Sequence, residues 1–231
     1  MGGRRMNGHH ASVAGDEATQ RQRHRDLVRR GYDAISNAYR NDNGQASPLR
    51  PETPSAYESW LIELAGLLPP GASVLDLGCG AGVPAAKLLA ELGCRVTGLD
   101  ISDVQIERAR RLVPGATFLR ADMANWDSEA ARFDAIVSLY ALIHVPLADQ
   151  QRLIPRLARW LTPRGYLLAI VGHERWTGIE EYLGAPMFWD HADAATYLQW
   201  FEAAGFTNCW TRYVAEGSSG HTLVLAQANQ R

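Results

Sequence analysis

Apolar residues along this chain recur first at helical spacing and then in short runs. From Arg23 to Arg40, the residues Leu27, Val28, Gly31, Tyr32, Ile35 and Tyr39 fall near one face of a helix. Asn41 to Pro54 reads as a polar, proline-containing loop. A second amphipathic helix follows, with Tyr57, Trp60, Leu61, Leu64 and Leu68 at helical spacing until Pro69-Pro70-Gly71 stops it. Residues 1–21 are rich in Gly, Arg, His and Ser and show no period, so the pattern predicts a disordered tail there.

Beyond Gly71 strands and helices alternate, the pattern of a parallel sheet covered on both faces. Strands are predicted at Ser73–Leu77, Cys94–Leu99, Ala116–Arg120, Phe133–Leu139 and Tyr166–Val171. Helices are predicted from Pro84 to Leu92, from Ser102 to Leu112, through Leu147, Ile154, Leu157, Ala158 and Leu161, and from Asp193 to Ala204. Ser102 and Gln105 have capping-box spacing. Phe206–Val214 and His221–Ala226, joined by the turn-rich Glu216-Gly-Ser-Ser-Gly220, read as an antiparallel hairpin at the sheet's end.

The predicted fold is therefore α/β: a Rossmann-like, doubly wound, seven-stranded sheet, mostly parallel with an antiparallel C-terminal hairpin strand, plus an N-terminal helical cap. With 231 residues, 46% of them hydrophobic, one domain is expected over 22–231, with a cap at 22–70, a core at 71–231 and a lid insertion near 173–192.

A net charge of −2 offers no basic excess for a nucleic-acid backbone, so no nucleic-acid partner is expected. No stretch has the roughly 18 apolar residues of a membrane span, so no membrane partner is expected either. Cys79, Cys94 and Cys209 lack metal-ligand spacing, are odd in number and lie in or beside apolar segments, which predicts reduced thiols in the cytoplasm. Oligomeric state is not legible from the sequence.

The candidate chemistry begins at Asp76-Leu77-Gly78-Cys79-Gly80-Ala81-Gly82, a glycine-rich turn after the first strand. Such a turn lets a ligand approach backbone at the carboxyl ends of the strands. The charge beside it selects the ligand. A dinucleotide would bring a pyrophosphate, which the Asp76 carboxylate repels, and its fingerprint wants a small residue where Val83 stands. A cationic, phosphate-free ligand suits Asp76 instead. Asp100 ends the second strand, placed to accept from two ribose hydroxyls, with Ile101 as an apolar wall. Asp122 follows the third strand, placed to accept from an adenine amino group while Met123 packs on the ring. Each acid alone reads equally as a helix cap or a solvated loop residue. Their placement at three successive strand ends points to one ligand.

Through Val74-Leu-Asp76-Leu-Gly-Cys-Gly-Ala-Gly82, Gly98-Leu-Asp100-Ile-Ser102, Ala121-Asp122-Met123, Phe133-Asp134-Ala-Ile-Val-Ser138 and Leu161-Thr-Pro-Arg-Gly165, the chain resembles the class I S-adenosylmethionine-dependent methyltransferases of small-molecule type over about residues 72–226. The resemblance implies S-adenosylmethionine as cofactor and methyl transfer to a small-molecule acceptor, with Tyr39, Asp76, Gly78, Cys79, Gly80, Asp100, Ile101, Gln105, Asp122, Met123 and Leu139 around the cofactor. It also implies that the helix carrying Tyr32-Asp33-Ala-Ile-Ser-Asn-Ala-Tyr39 closes over the cofactor's methionine end. A noncatalytic sensor or scaffold that binds the same cofactor is the alternative, since no residue is compelled to be a base.

Methyl transfer is an in-line displacement that needs positioning and, for a hydroxyl acceptor, removal of a proton; no metal is expected. His144 and Tyr140, on the turn after the fourth strand, are the candidate catalytic residues. Both also have a plain structural role open to them, His144 in packing the next helix and Tyr140 in walling the methionine chain. The long connection after the fifth strand carries His173, Trp176, Tyr182, Trp189 and His191. With Tyr32, three of these, His173, Trp176 and Trp189, are the candidate acceptor-binding residues, and the aromatic content predicts a flat or aromatic acceptor.

Overall fold

A computed structural model describes residues 7–46, 54–128 and 132–229. Its centre is a seven-stranded sheet built from β1 (Ser73–Leu77), β2 (Arg95–Asp100), β3 (Thr117–Arg120), β4 (Phe133–Ser138), β5 (Leu161–Gly172), β8 (Phe206–Glu216) and β9 (Ser219–Ala228). The strand order is β3-β2-β1-β4-β5-β9-β8. The strands pair in parallel from β3 to β5, and β9 enters antiparallel between β5 and β8.

Successive residues of a strand point to opposite faces, and β1 shows what this does here. Val74 enters the core formed with Leu61, Leu64, Ala86, Leu89 and Ile106, under α2 (Pro54–Ala65), α3 (Ala85–Glu91) and α4 (Asp103–Leu112). Leu75 and Leu77 enter the opposite core with Leu153, Leu157, Trp160, Tyr197 and Phe201, under α5 (Leu147–Trp160) and α6 (Ala194–Ala203). Burial on both faces is why these strands read as near-continuous apolar runs.

The cap differs from the sequence reading. Helix α1 runs Asn7–Tyr39, so the order expected from residue 22 extends back through the segment predicted to be a disordered tail. Ion pairs give a physical reason: Arg21 pairs with Glu17 one turn earlier and with Asp149 on α5, and Arg25 pairs with both Asp149 and Asp122. An anchored turn lets helix propagate outward at one hydrogen bond per added residue. Residues 1–6 lie outside the described residues.

The connection after β5 is a second hairpin, β6 (Trp176–Tyr182) with β7 (Ala185–His191), where the sequence reading had a loop-like lid. It packs on α1 through a third apolar cluster of Val28, Ile35, Tyr182, Ala185, Met187 and Phe188. Gly31 allows a close approach here, since a Cβ would lie 2.7 Å from the mobile end of Met187 and 3.2 Å from the Pro186 carbonyl. Strand β5 is also longer than its apolar run predicts, since Leu161 pairs with Phe133 before a register shift resumes pairing at Tyr166.

Candidate functional site

The strand order reverses direction between β1 and β4, which opens a crevice at the carboxyl ends of the strands. A cleft lined mostly by apolar side chains occupies it. Its walls include Gly78 and Gly80 after β1, Asp100 and Ile101 after β2, Asp122 and Met123 after β3, Leu139, Tyr140 and His144 after β4, and Arg25, Tyr32 and Tyr39 from α1. Gln105 of α4 completes it.

The glycine loop turns sharply because Gly78 has φ +76°, a conformation costly for other residues. A Cβ there would lie 2.1 Å from Ala141 Cβ, so the loop and the β4 turn touch only through a bare Cα. The backbone N–H groups of Gly78 and Cys79 both donate to the Leu99 carbonyl, at 2.7 and 3.1 Å, which ties the loop to β2.

A smaller hollow adjoins the cleft beneath this loop, lined by Asp76, Cys79, Arg40, Tyr39, Tyr57 and Leu139 among others. Asp76 is 2% exposed, and its Oδ2 has no hydrogen-bond partner among the described residues. Burial raises its pKa from 3.8 to about 7, and the Asp100 charge adds to the push. Arg40 is also buried, its guanidinium 4.7 Å from the Tyr57 ring centroid. A buried acid with an orphaned oxygen and a buried guanidinium around one hollow suit a ligand that carries both an ammonium and a carboxylate.

Asp100 accepts from Gly80 N–H at 2.9 Å with one oxygen and from Ser102 N–H at 2.8 Å with the other, which leaves lone pairs for ligand hydroxyls. Its pKa is raised to about 6 by burial, against those N–H donors. Only half of the expected capping box forms. Ser102 Oγ accepts from Gln105 N–H at 3.1 Å, but Gln105 Oε1 accepts from Ser36 Oγ of α1 at 2.8 Å rather than reaching back. Ser102 Oγ in turn donates to Asp33 at 2.6 Å. Arg108 donates to Ser36 and to the Arg40 carbonyl, so the end of α1 is clamped over the cleft by α4.

Asp122, expected as an adenine acceptor, already accepts from Ala124 N–H and Asn125 Nδ2, each at 2.9 Å, and pairs with Arg25 Nε at 2.9 Å. The sequence reading missed Arg25 and Arg40. Arg25 sits in an arginine-rich helix and Arg40 directly after it, and only the fold distinguishes them from their solvated neighbours.

Beyond Tyr39 and Tyr140 the cleft adjoins a small chamber lined by Tyr32, Tyr39, Tyr140, Ile143, His144, Tyr182, Trp189 and His221. Tyr140 holds φ +59°, an uncommon conformation outside glycine that costs on the order of 1–3 kcal/mol and recurs at functional sites. His144 is buried, and both of its ring nitrogens are engaged. Nδ1 lies 2.7 Å from the Phe188 carbonyl, which can only accept, so Nδ1 carries the proton. Nε2 therefore accepts from the Tyr32 hydroxyl at 2.9 Å.

Trp189 walls both this chamber and a broader groove between the two hairpins. His173 and Trp176, expected beside it, lie only in that outer groove, with His191, Tyr213 and the acids Glu174, Glu180 and Glu181. His221, which the sequence reading did not single out, joins chamber and groove. A lone histidine on a short C-terminal strand gave no signal by spacing. Among the described residues no group of three or more His, Cys, Asp or Glu is placed to hold a metal ion, and no helix is long and apolar enough to cross a membrane.

Residues 74–165 match the protein family described as a methyltransferase domain. A sterol 24-C-methyltransferase of Debaryomyces hansenii is 37% identical over 82 residues, 33% of this chain and 22% of that protein. A trans-aconitate 2-methyltransferase of Escherichia coli is 35% identical over 118 residues, 51% of this chain and 45% of that protein. The chain thus spans less than half the length of these curated relatives. Among solved structures, a magnesium protoporphyrin IX methyltransferase from Synechocystis PCC 6803 with bound S-adenosylmethionine aligns with TM-score 0.69 at 21% identity, covering 89% of this chain and 97% of that one. A (4+2)-cyclase aligns with TM-score 0.68 at 18% identity over 88% and 96% of the two chains. These structural likenesses concern the fold, which alone does not fix an activity.

Proposed function

We propose, from the premise that this chain belongs to the class I S-adenosylmethionine-dependent methyltransferase family, that it binds S-adenosylmethionine in the cleft and methylates a flat or aromatic small molecule held in the adjoining chamber. The observation that carries this reading is the buried Asp76 with its unpartnered oxygen beneath the glycine loop.

Asp76 binds the cofactor's ammonium and Arg40 its carboxylate, across the same hollow. Asp100 accepts from the ribose hydroxyls while Ile101 and Met123 pack the apolar faces of the nucleoside. A pyrophosphate has no place there, because the floor of the site is carboxylate on both sides. Asp122 accepts from the adenine amino group through lone pairs that its present donors leave over. Gln105, held by Ser36, fixes the edge of the cleft next to α1.

When bound, the cofactor supplies a methyl carbon activated by the adjacent sulfonium. The chain's own work is then to bring the acceptor to near-attack distance and to exclude water. Tyr39 and Tyr140 form the wall between cleft and chamber. His144, through its bond to Tyr32, fixes the chamber's far side, and Trp189 offers the acceptor an aromatic face. Helix α1 and the β6–β7 hairpin cover the chamber, and their third apolar cluster keeps them together. The three free cysteines support a reducing, cytoplasmic setting.

Isothermal titration with S-adenosylmethionine, S-adenosylhomocysteine and NAD tests the cofactor. Saturable binding of the first two and none of NAD is expected, and binding of NAD alone would sink the reading. Incubation with methyl-labelled cofactor and a broad acceptor panel then separates an enzyme from a noncatalytic binder, since only the enzyme transfers label.

A further inference from the structure

The chamber holds two imidazoles, and they are not equivalent. His144 donates from Nδ1 to the Phe188 carbonyl and accepts at Nε2 from Tyr32, so it has no lone pair to spare for an acceptor. His221 is arranged differently. Its Nδ1 lies 3.1 Å from Glu216 Oε1, across the β8–β9 hairpin, and both side chains are about 15% exposed. A carboxylate only accepts, so the proton of the neutral ring sits on Nδ1 and the lone pair on Nε2. Among the described residues nothing donates to that nitrogen.

The place of the ring also matters. Its centroid lies 5.3 Å from that of Tyr140, the residue that divides chamber from cleft. The neighbouring position on β5 is Gly172, and His191 fills the space that a side chain there would take. His191 lies 5.8 Å from His221 between centroids, and burial first, then the charge on His221, lowers its pKa. Of this pair, His221 is the one whose ring faces a carboxylate. The other titratable groups around it are Glu216 on β8, His173 just after β5, Tyr140 and His144 after β4, Tyr182 on β6, Tyr213 on β8 and Tyr32 and Tyr39 of α1, with Glu174, Arg175, Glu180 and Glu181 across the outer groove.

The geometry points to His221, oriented by Glu216, as the general base of the reaction, and to an acceptor methylated on a hydroxyl oxygen, a phenol or an enol. This rests on the reading of the cleft as the S-adenosylmethionine site. A hydroxyl is a weak nucleophile until it loses its proton, whereas a neutral amine attacks without help, so a carboxylate-held imidazole has work to do only for the former. The acceptor's O–H bond breaks and its proton passes to Nε2 of His221. The oxygen lone pair forms the bond to the methyl carbon as the carbon–sulfur pair returns to sulfur. One positive charge thereby moves from the sulfonium to the imidazolium, where Glu216 stabilises it.

Two measurements test this. In imidazole nitrogen NMR of the ligand-free protein, with His221 assigned by its loss in His221→Gln, the neutral ring is expected as the Nδ1–H tautomer. Glu216→Gln is expected to shift it toward Nε2–H. Labelled methyl transfer is then followed to catechol and 4-ethylphenol, with aniline and benzoate as controls. Transfer to the phenols alone is expected, with kcat reduced about 100-fold or more in His221→Gln while its S-adenosylhomocysteine affinity stays at the wild-type value, which also shows that the variant folds. Glu216→Gln is expected to lower kcat together with its shift of tautomer, and Glu216→Asp to restore both in part, which a merely structural pair would not do. An Nε2–H tautomer in the wild type, an undiminished rate in His221→Gln, or no transfer to either phenol overturns the inference. If S-adenosylhomocysteine still binds in calorimetry, that failure is confined to the base and the acceptor; if it does not, the cofactor reading fails as well.

Discussion

Replacing Asp76 by Asn should strengthen the ligand-free protein and weaken the cofactor complex, and both effects follow from one buried carboxylate. Its pKa is raised from 3.8 to about 7 by burial and by Asp100. An acid whose folded pKa lies above its unfolded value is protonated more in the folded state, so stability is lost as pH rises. The loss begins near the unfolded value of 3.8 and is complete above about 7. At about 1.4 kcal/mol per tenfold, the cost to the ligand-free protein at pH 8 is about 4 kcal/mol. Asparagine keeps the shape without the charge but must bury its own amide, so a net gain of about 1–3 kcal/mol is expected, seen as a rise in Tm of about 2–10 °C. Near pH 3 the gain should vanish, because Asp76 is then neutral in the folded state and, below its unfolded value of 3.8, mostly neutral in the unfolded one.

Cofactor affinity should change in the opposite sense. An ion pair with the ammonium at about 4 Å is worth up to about 4 kcal/mol at the effective dielectric of a protein site, and part of this offsets desolvation of the ammonium. A loss of about 2–3 kcal/mol, on the order of 30- to 150-fold in Kd, is expected for Asp76→Asn at pH 8. In the wild type Kd should rise about tenfold per pH unit below 7, and binding at pH 6 should release about 0.9 proton, read from calorimetry in buffers of different ionisation enthalpy. The same Tm for both proteins at pH 8, or a wild-type Kd constant from pH 5.5 to 8, would refute the reasoning.

The remaining expectations concern neighbouring parts of the fold. Gly78→Ala places a Cβ where Ala141 Cβ lies 2.1 Å away and strains φ +76°; a stability loss of about 2–4 kcal/mol in urea and no measurable cofactor binding are expected. Arg25→Ala strips the buried Asp149 and the half-covered Asp122 of a shared cation. About 3 kcal/mol should be lost, with faster hydrogen exchange through α1, and unchanged exchange would show that Arg25 is not its anchor. Tyr197→Phe removes the hydroxyl that donates to Gln150 Oε1 inside the α5–α6 core. Stability should drop by about 1–3 kcal/mol while cofactor affinity is unaltered, since neither side chain lines the cleft; a parallel loss of affinity would contradict that separation.

That Asp76, Asp100 and Asp122 gather around one crevice was legible in the sequence for a physical reason. Asp76 and Asp100 stand at the ends of β1 and β2 and Asp122 two residues after β3, and parallel pairing brings the ends of successive strands side by side. Local pattern therefore fixes global position. The N-terminal segment was misread for the opposite reason: its helix is held by Arg21 and Arg25 reaching Asp149, more than a hundred residues away, and no local period reports such a pair. The β6–β7 hairpin was seen only as an aromatic-rich connection, because a two-stranded ribbon that buries one face on α1 has its alternation blurred by residues such as Met187 and Phe188, which are adjacent in sequence and both buried.

The acceptor half yields least to sequence because no single segment contains it. Tyr32 comes from α1, Tyr140 and His144 from the turn after β4, Trp189 from β7 and His221 from β9, and each is unremarkable in its own context. What distinguishes the two histidines is not their neighbours in sequence but what each Nδ1 meets: a backbone carbonyl for His144 and a carboxylate for His221. The first partner fixes a tautomer and nothing more, while the second also stabilises the imidazolium that forms when Nε2 takes a proton. The candidate picked out by sequence position, His144, is thus the ring whose accepting nitrogen is already spent on Tyr32. The ring that sequence position passes over, His221, lines the chamber with its Nδ1 held by Glu216.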